Sequence, residues 1–172
     1  PFVEDRIGSV LADDRTALII KLHGSTTQEY QKMYRRLVEK DPRIIFADEL
    51  DITPLLVLAD VMISDVSSAM MEFAALDKPL VLFNNPNWAS YKNYTPSDIE
   101  FCWRDIGMQV SDLRQMQEAV RHCFAHPNEL CEKRKLYTDQ LFANKYNGRA
   151  AECIIENAFS LLAEETQIRG AA

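Results

Sequence analysis

Short apolar runs alternate with longer amphipathic stretches along most of the chain. Residues 17–22 (Ala-Leu-Ile-Ile-Lys-Leu), 43–47, 60–64 and 79–83 are each too short for a helix and are bounded by polar or turn residues. Such runs predict strands covered on both faces, as in a parallel sheet. Between them lie helical patterns. Thr26 or Thr27 starts a helix to about residue 40, with Tyr30, Met33, Tyr34 and Leu37 on one face. Asp41-Pro42 stops it. A short helix over 51–58 carries Pro54 in its first turn and Asp51 as its cap. Ser67 or Ser68 opens another, to about residue 76.

The pattern then weakens. Residues 84–98, rich in asparagine and aromatics, predict a long ordered loop, and a candidate strand lies near 108–110. Helices follow at about 112–124, 127–143 and 149–164, and 2–12 reads as a weak helix. One domain over residues 1–166, with a frayed tail from 167 to 172, is the expected organisation. The fold class is α/β: a Rossmann-like parallel sheet with flanking helices.

That topology concentrates chemistry. Open parallel sheets bind ligands beyond the carboxyl ends of their strands. Here His23-Gly24-Ser25 follows the first strand, Ser64-Asp65-Val66-Ser67-Ser68 the third, and Asn84-Asn85 the fourth. One ligand could touch all three. Ser67 and Ser68 stand where a helix begins, so free amides and two hydroxyls suit phosphate oxygens. Glu72, one turn further on, suits ribose hydroxyls. The bland alternatives are serines that merely cap and a glutamate that merely favours a first turn. His23 can donate to phosphate or act as acid or base, or it is an ordinary strand-end histidine. His122 and His126, on or beside a helix, read as solvated, and Glu132-Lys133-Arg134-Lys135 as a solvated helix face.

Composition narrows this. The 172 residues carry 19 Lys+Arg against 26 Asp+Glu, a net charge of −7. A broad nucleic-acid surface is not expected, because it needs concentrated cations. The five glycines, Gly8, Gly24, Gly107, Gly148 and Gly170, form neither GxGxxG nor a Walker loop, so bound phosphate must be held by other means. Cys102, Cys123, Cys131 and Cys153 form no CxxC pair. Reduced intracellular thiols are expected, with no protein-bound metal and no cofactor.

The order of residues in LIIKLHGS…RIIFADELDITPLLVLADVMISDVSSAMMEFAALDKPLVLF resembles the CDP-glycerol glycerophosphotransferases, the teichoic-acid-type polymerases. The combination of strand-end His, Asp-Ile-Thr helix start, Ser-Asp-x-Ser-Ser and Asp-Lys-Pro carries the resemblance over 18–86, more loosely to about 163. It implies the C-terminal half of a GT-B architecture, lacking a strand upstream of residue 1. The implied donor is CDP-glycerol or a similar CDP-alditol, transferred to a polymer acceptor bound by a preceding domain, in cell-wall or capsule synthesis, with release of CMP. His23 would contact the donor pyrophosphate or assist the leaving group. Ser67 and Ser68, with Gly24 and Ser25, would line the phosphates, Ser64 and Asp65 would shape the turn, and Glu72 would lie near the ribose. The family's second histidine, in a Trp-His-Gly context, has no counterpart here and is the implied general base. The resemblance also implies a cytoplasmic location, peripheral at the membrane face. Gly24 stands where the family commonly has Pro, Val66 where it has an aromatic, and Cys153 near an expected Arg. Alternative readings are a nucleotide-sugar glycosyltransferase or UDP-sugar 2-epimerase of the same architecture, and a non-catalytic nucleotide-binding regulatory module.

Overall fold

The structure, a computed structural model, describes residues 6–92, 94–142 and 148–170. The chain divides into two compact units, Pro1–Thr138 and Asp139–Ala172. In the first, strands and helices alternate: β1 (Leu18–Ile20), α1 (Gln28–Lys40), β2 (Ile44–Phe46), α2 (Thr53–Leu58), β3 (Met62–Ser64), α3 (Ala69–Ala75), β4 (Leu80–Phe83), α4 (Ile99–Cys102), β5 (Met108–Val110) and α5 (Leu113–Ala125). α6 (Cys131–Leu141) spans the boundary, and the second unit holds α7 (Ala150–Gly170).

Every strand pairing is parallel. β1 pairs with β2, in register Leu18 with Ile44, and β4 lies between β3 and β5. Among the described residues no ladder joins the two sets, so the strands form two separately paired sheets. Both sheets nevertheless feed one core. Ile20, Ile44, Val81 and Val110 pack with Ile7 and Val10 of a 3-10 turn and with Met116, Ala119 and Val120 of α5. Side chains alternate along a strand, so Leu80 and Leu82 face the other side of β4. α3 packs there and buries Met70, Met71 and Phe73. β4 is thus covered on both faces, which is why its sequence is continuously apolar.

Local signals explain most boundaries. Asp112 accepts the Gln115 amide at 2.8 Å, and the Gln115 side chain in turn accepts the Ser111 amide, a near-reciprocal cap for α5. Asp51 accepts the Thr53 amide at 2.9 Å at the start of α2. On α1 Leu37 is buried and Tyr34 partly so, whereas Tyr30, expected on the same inner face, is 45% exposed in the first turn. Gly107 is dictated by space: a Cβ there would stand 2.8 Å from the Leu80 carbonyl oxygen.

Three expectations are corrected. The N-terminal helix is a single 3-10 turn, Ile7–Val10, residues 1–5 lying outside the described residues. The helix expected from 127 starts only at Cys131, because Leu130 sits at φ 64°. The last helix runs to Gly170 rather than 164, with no Pro and no Gly inside it to end it earlier.

Asp41 gives the fold a titratable turn. The Arg43 guanidinium and amide bond its carboxylate, the side chain at 2.7 and 3.0 Å, and hold its pKa down at about 2. A depressed carboxyl stabilises the fold above its unfolded value and loses that contribution as pH falls through the folded one. The melting temperature of the wild type should therefore exceed that of Asp41→Asn at pH 6, and the gap should close between about pH 4 and 2. A gap that stays constant across that range would show that the pair contributes nothing to folding.

Candidate functional site

The polar turns lie at the carboxyl ends of the parallel strands, as the alternation of elements requires. His23 is exposed beyond β1. Its Nδ1 accepts the Ser25 amide at 3.2 Å and lies 2.7 Å from the Ser25 hydroxyl. An amide can donate only to an unprotonated nitrogen, so the neutral ring carries its proton on Nε2. Nε2–H is then the free end, available to donate outward. A Cβ on Gly24 would meet nothing within 4 Å, so packing does not require glycine there. Thr27 caps α1 with its backbone alone.

At the end of β3, Ser64 is half-buried opposite Leu82, and Asp65 is exposed. The Ser67 hydroxyl accepts the Ala69 amide at 3.3 Å. Ser68 is the N-cap of α3 with helical backbone angles and no side-chain capping bond, so its exposed hydroxyl is not spent on the helix. Of the two hydroxyls, then, only that of Ser67 is used locally. Glu72 is exposed in the first turn of α3. No hydrogen bond or ion pair among the described residues joins His23 to the serine turn; each lies at the carboxyl end of a strand in its own sheet.

The third turn is organised by aromatics. Asn85 donates to the Tyr91 hydroxyl at 2.7 Å. Burial, and then the nearby Asp65 carboxylate, raise the Tyr91 pKa. Trp88 and Tyr94 both pack edge-on against Phe101. The side chain of Arg104 is buried here, under the ends of β3 and β4.

Several residues away from the strand-end turns have structural roles. Lys78 donates to the carbonyls of Leu56, Val57 and Ala59, closing the C-terminal end of α2. Asp77, at φ 56°, accepts Arg134 Nε at 3.1 Å. The Asp-Lys-Pro motif therefore sets the entry to β4 rather than the chemistry beyond it. Arg134, expected on a solvated face, is 1% exposed, while its neighbour Lys133 pairs with Asp105 at 3.0 Å. His122 bonds the Glu129 carboxylate and lies against the His126 ring. That pair lies beside Pro79 and Met108, at the strand starts, away from the strand-end turns. Cys123 beside it is buried, and burial pushes its thiol up to about 11. Among the described residues no group of three or more His, Cys, Asp or Glu could hold a metal ion, and no helix is long and apolar enough to cross a membrane.

Parallel strands, crossover helices and polar turns gathered at the strand ends define a Rossmann-like α/β domain. The sequence model of the CDP-Glycerol:Poly(glycerophosphate) glycerophosphotransferase family matches residues 4–160. The chain belongs to this transferase family. No curated protein and no solved structure matches it.

Proposed function

We propose that this chain binds the CDP-activated donor of a glycerophosphotransferase, with residues 1–166 forming the donor-binding half of a GT-B enzyme. The observation that carries this reading is the pair of uncommitted donors at the strand ends, His23 Nε2–H and the Ser68 hydroxyl. In this pose Ser67, Ser68, Gly24 and Ser25 line the diphosphate, Ser64 and Asp65 shape the turn, and Glu72 accepts from the ribose.

In the reaction an acceptor hydroxyl attacks the β-phosphorus of CDP-glycerol. The new O–P bond forms as the bond to the CMP oxygen breaks, and the acceptor proton goes to a base supplied by the preceding domain. His23 offsets charge on the departing phosphate by donating from Nε2. Catalysis comes from positioning and from stabilising charge on the phosphoryl oxygens. The donor itself is the only small molecule this scheme requires. The acceptor is a growing cell-wall or capsule polymer, which would place the enzyme at the cytoplasmic face of the membrane.

Calorimetric titration with CDP-glycerol, CMP and UDP-sugars tests the reading. CDP-glycerol and CMP should bind and UDP-sugars should not. Ser68→Ala should weaken CMP binding by the ~1.5–3 kcal/mol of a charge-assisted hydrogen bond. It should leave the melting temperature unchanged, because the hydroxyl makes no cap. Selective binding of UDP-sugars would replace this reading with that of a sugar-nucleotide enzyme.

A further inference from the structure

Arg104 is the one cation buried beneath the strand-end turns among the described residues, and its geometry is specific. It opens the 3-10 turn Arg104–Ile106 just before β5 and is 4% exposed. Nη1 donates to the Asp65 carbonyl at 2.6 Å and to the Glu100 carbonyl at 3.3 Å. Nη2 donates to the Phe83 carbonyl at 3.0 Å, and Nε to Asn84 Oδ1 at 3.2 Å. The guanidinium lies 4.4 Å from the centre of the Trp88 ring.

The acceptors matter as much as the donor. The Asn84 amide donates across to Val110 on the β5 side. Along a strand the carbonyl one residue earlier points the other way, so Phe83 O faces β3. The β3–β4 pairing has ended by then, at Ser64 with Leu82. Arg104 therefore bridges the two strands one step beyond their last ladder position, tying the first residue of the serine turn to the end of β4. Only a planar fork can serve these carbonyls at once. All its partners are neutral, and no carboxylate pairs with it among the described residues. Its positive charge is thus met by carbonyl dipoles, by the Trp88 ring face and, through space, by the Asp65 carboxylate, but by no carboxylate hydrogen bond. Burial lowers its pKa to about 10, which still leaves it charged at neutral pH.

We infer that Arg104 is a positioning residue of the donor site: it holds the 64–68 turn against the end of β4 and sets a positive charge behind the place where donor phosphates bind. The second half of this inference rests on the reading proposed above; the first half does not.

The test uses Arg104→Met, which removes fork and charge, and Arg104→Lys, which keeps charge and loses the fork. Hydrogen exchange is followed by mass spectrometry, and CMP and cytidine are titrated calorimetrically. Amides of 65–70 should lose at least about tenfold in protection in Arg104→Met and less in Arg104→Lys, while β1, β2 and α5 keep theirs. CMP affinity should fall about tenfold or more in Arg104→Met and less in Arg104→Lys, with cytidine affinity nearly unmoved. Unchanged protection of 65–70 in either folded variant overturns the positioning role. So does protection lost uniformly across β1–β5, or failure of both variants to fold, which would make Arg104 a general stabiliser. If the wild type binds no CMP, the donor-site reading fails and the exchange result alone decides whether Arg104 holds the turn. If the wild type binds CMP and both variants bind it equally well, the charge plays no part.

Discussion

Replacing His23 by alanine should lower the rate of glycerophosphate transfer by ~10²–10⁴-fold, the range for a positioned acid or base, with almost no loss of stability. The ring is exposed and its bonds are both to Ser25, two residues away. Removing it uncovers no buried group, and exposed substitutions of this kind usually stay within ~0.5 kcal/mol. The rate should fall because Ser25 occupies Nδ1 and so directs the remaining N–H outward, which alanine cannot replace. His23→Gln, which keeps an outward donor but cannot exchange a proton, should retain part of the rate. The assay needs the enzyme with its acceptor and CDP-glycerol, alongside a thermal melt. Turnover by His23→Ala at the wild-type rate would remove this histidine from the mechanism and leave the strand-end turns with binding alone.

The largest effect on stability is expected at Arg134. Its side chain is 1% exposed. It donates to Asp77 Oδ1 at 3.1 Å and to the carbonyls of Glu129 at 2.8 Å, Pro127 at 3.2 Å and Asp77 at 3.3 Å. These contacts stitch the start of α6 to the turn that leads into β4, and they hold the loop containing Leu130 in its left-handed conformation. Arg134→Ala removes the donor from all four acceptors and opens a void where the stem was. Asp77, Pro127 and Glu129 are themselves exposed, so water can serve their acceptors, and the main loss is the packing of the buried arginine stem. The net loss should be on the order of 2–4 kcal/mol, in the range for truncating a large buried side chain to alanine. That corresponds to a fall in melting temperature of roughly 10 °C for a chain of this size. Arg134→Lys should recover part of it, since a stem remains but an ammonium cannot span the same fork. Urea or thermal denaturation decides it: a loss under about 1 kcal/mol would mean that the packing of the stem contributes little.

The positions of β1 to β5, the alternation with helices and the parallel class were legible because they depend on local properties. A run such as Leu80–Phe83 is apolar throughout because both faces are covered, and Asp51 before a short helical run marks a helix start whatever surrounds it. Within each sheet the parallel pairing puts the carboxyl ends of its strands on one edge, which is where His23 follows β1 and Ser64, Asp65, Ser67 and Ser68 follow or end β3. What the tertiary structure decided is where long polar side chains go. Arg104 reaches a carbonyl 39 residues away and Arg134 a carboxylate 57 residues away. Neither distance has any imprint on hydrophobic periodicity, and in sequence each is a charge among charges or beside a tryptophan. The division of the strands into two separately paired sheets, and the left-handed turn at Leu130 that delays α6, were decided in the same way. Periodicity records which face of an element is covered; it carries no record of which backbone carbonyls, brought together by the fold, will need a donor.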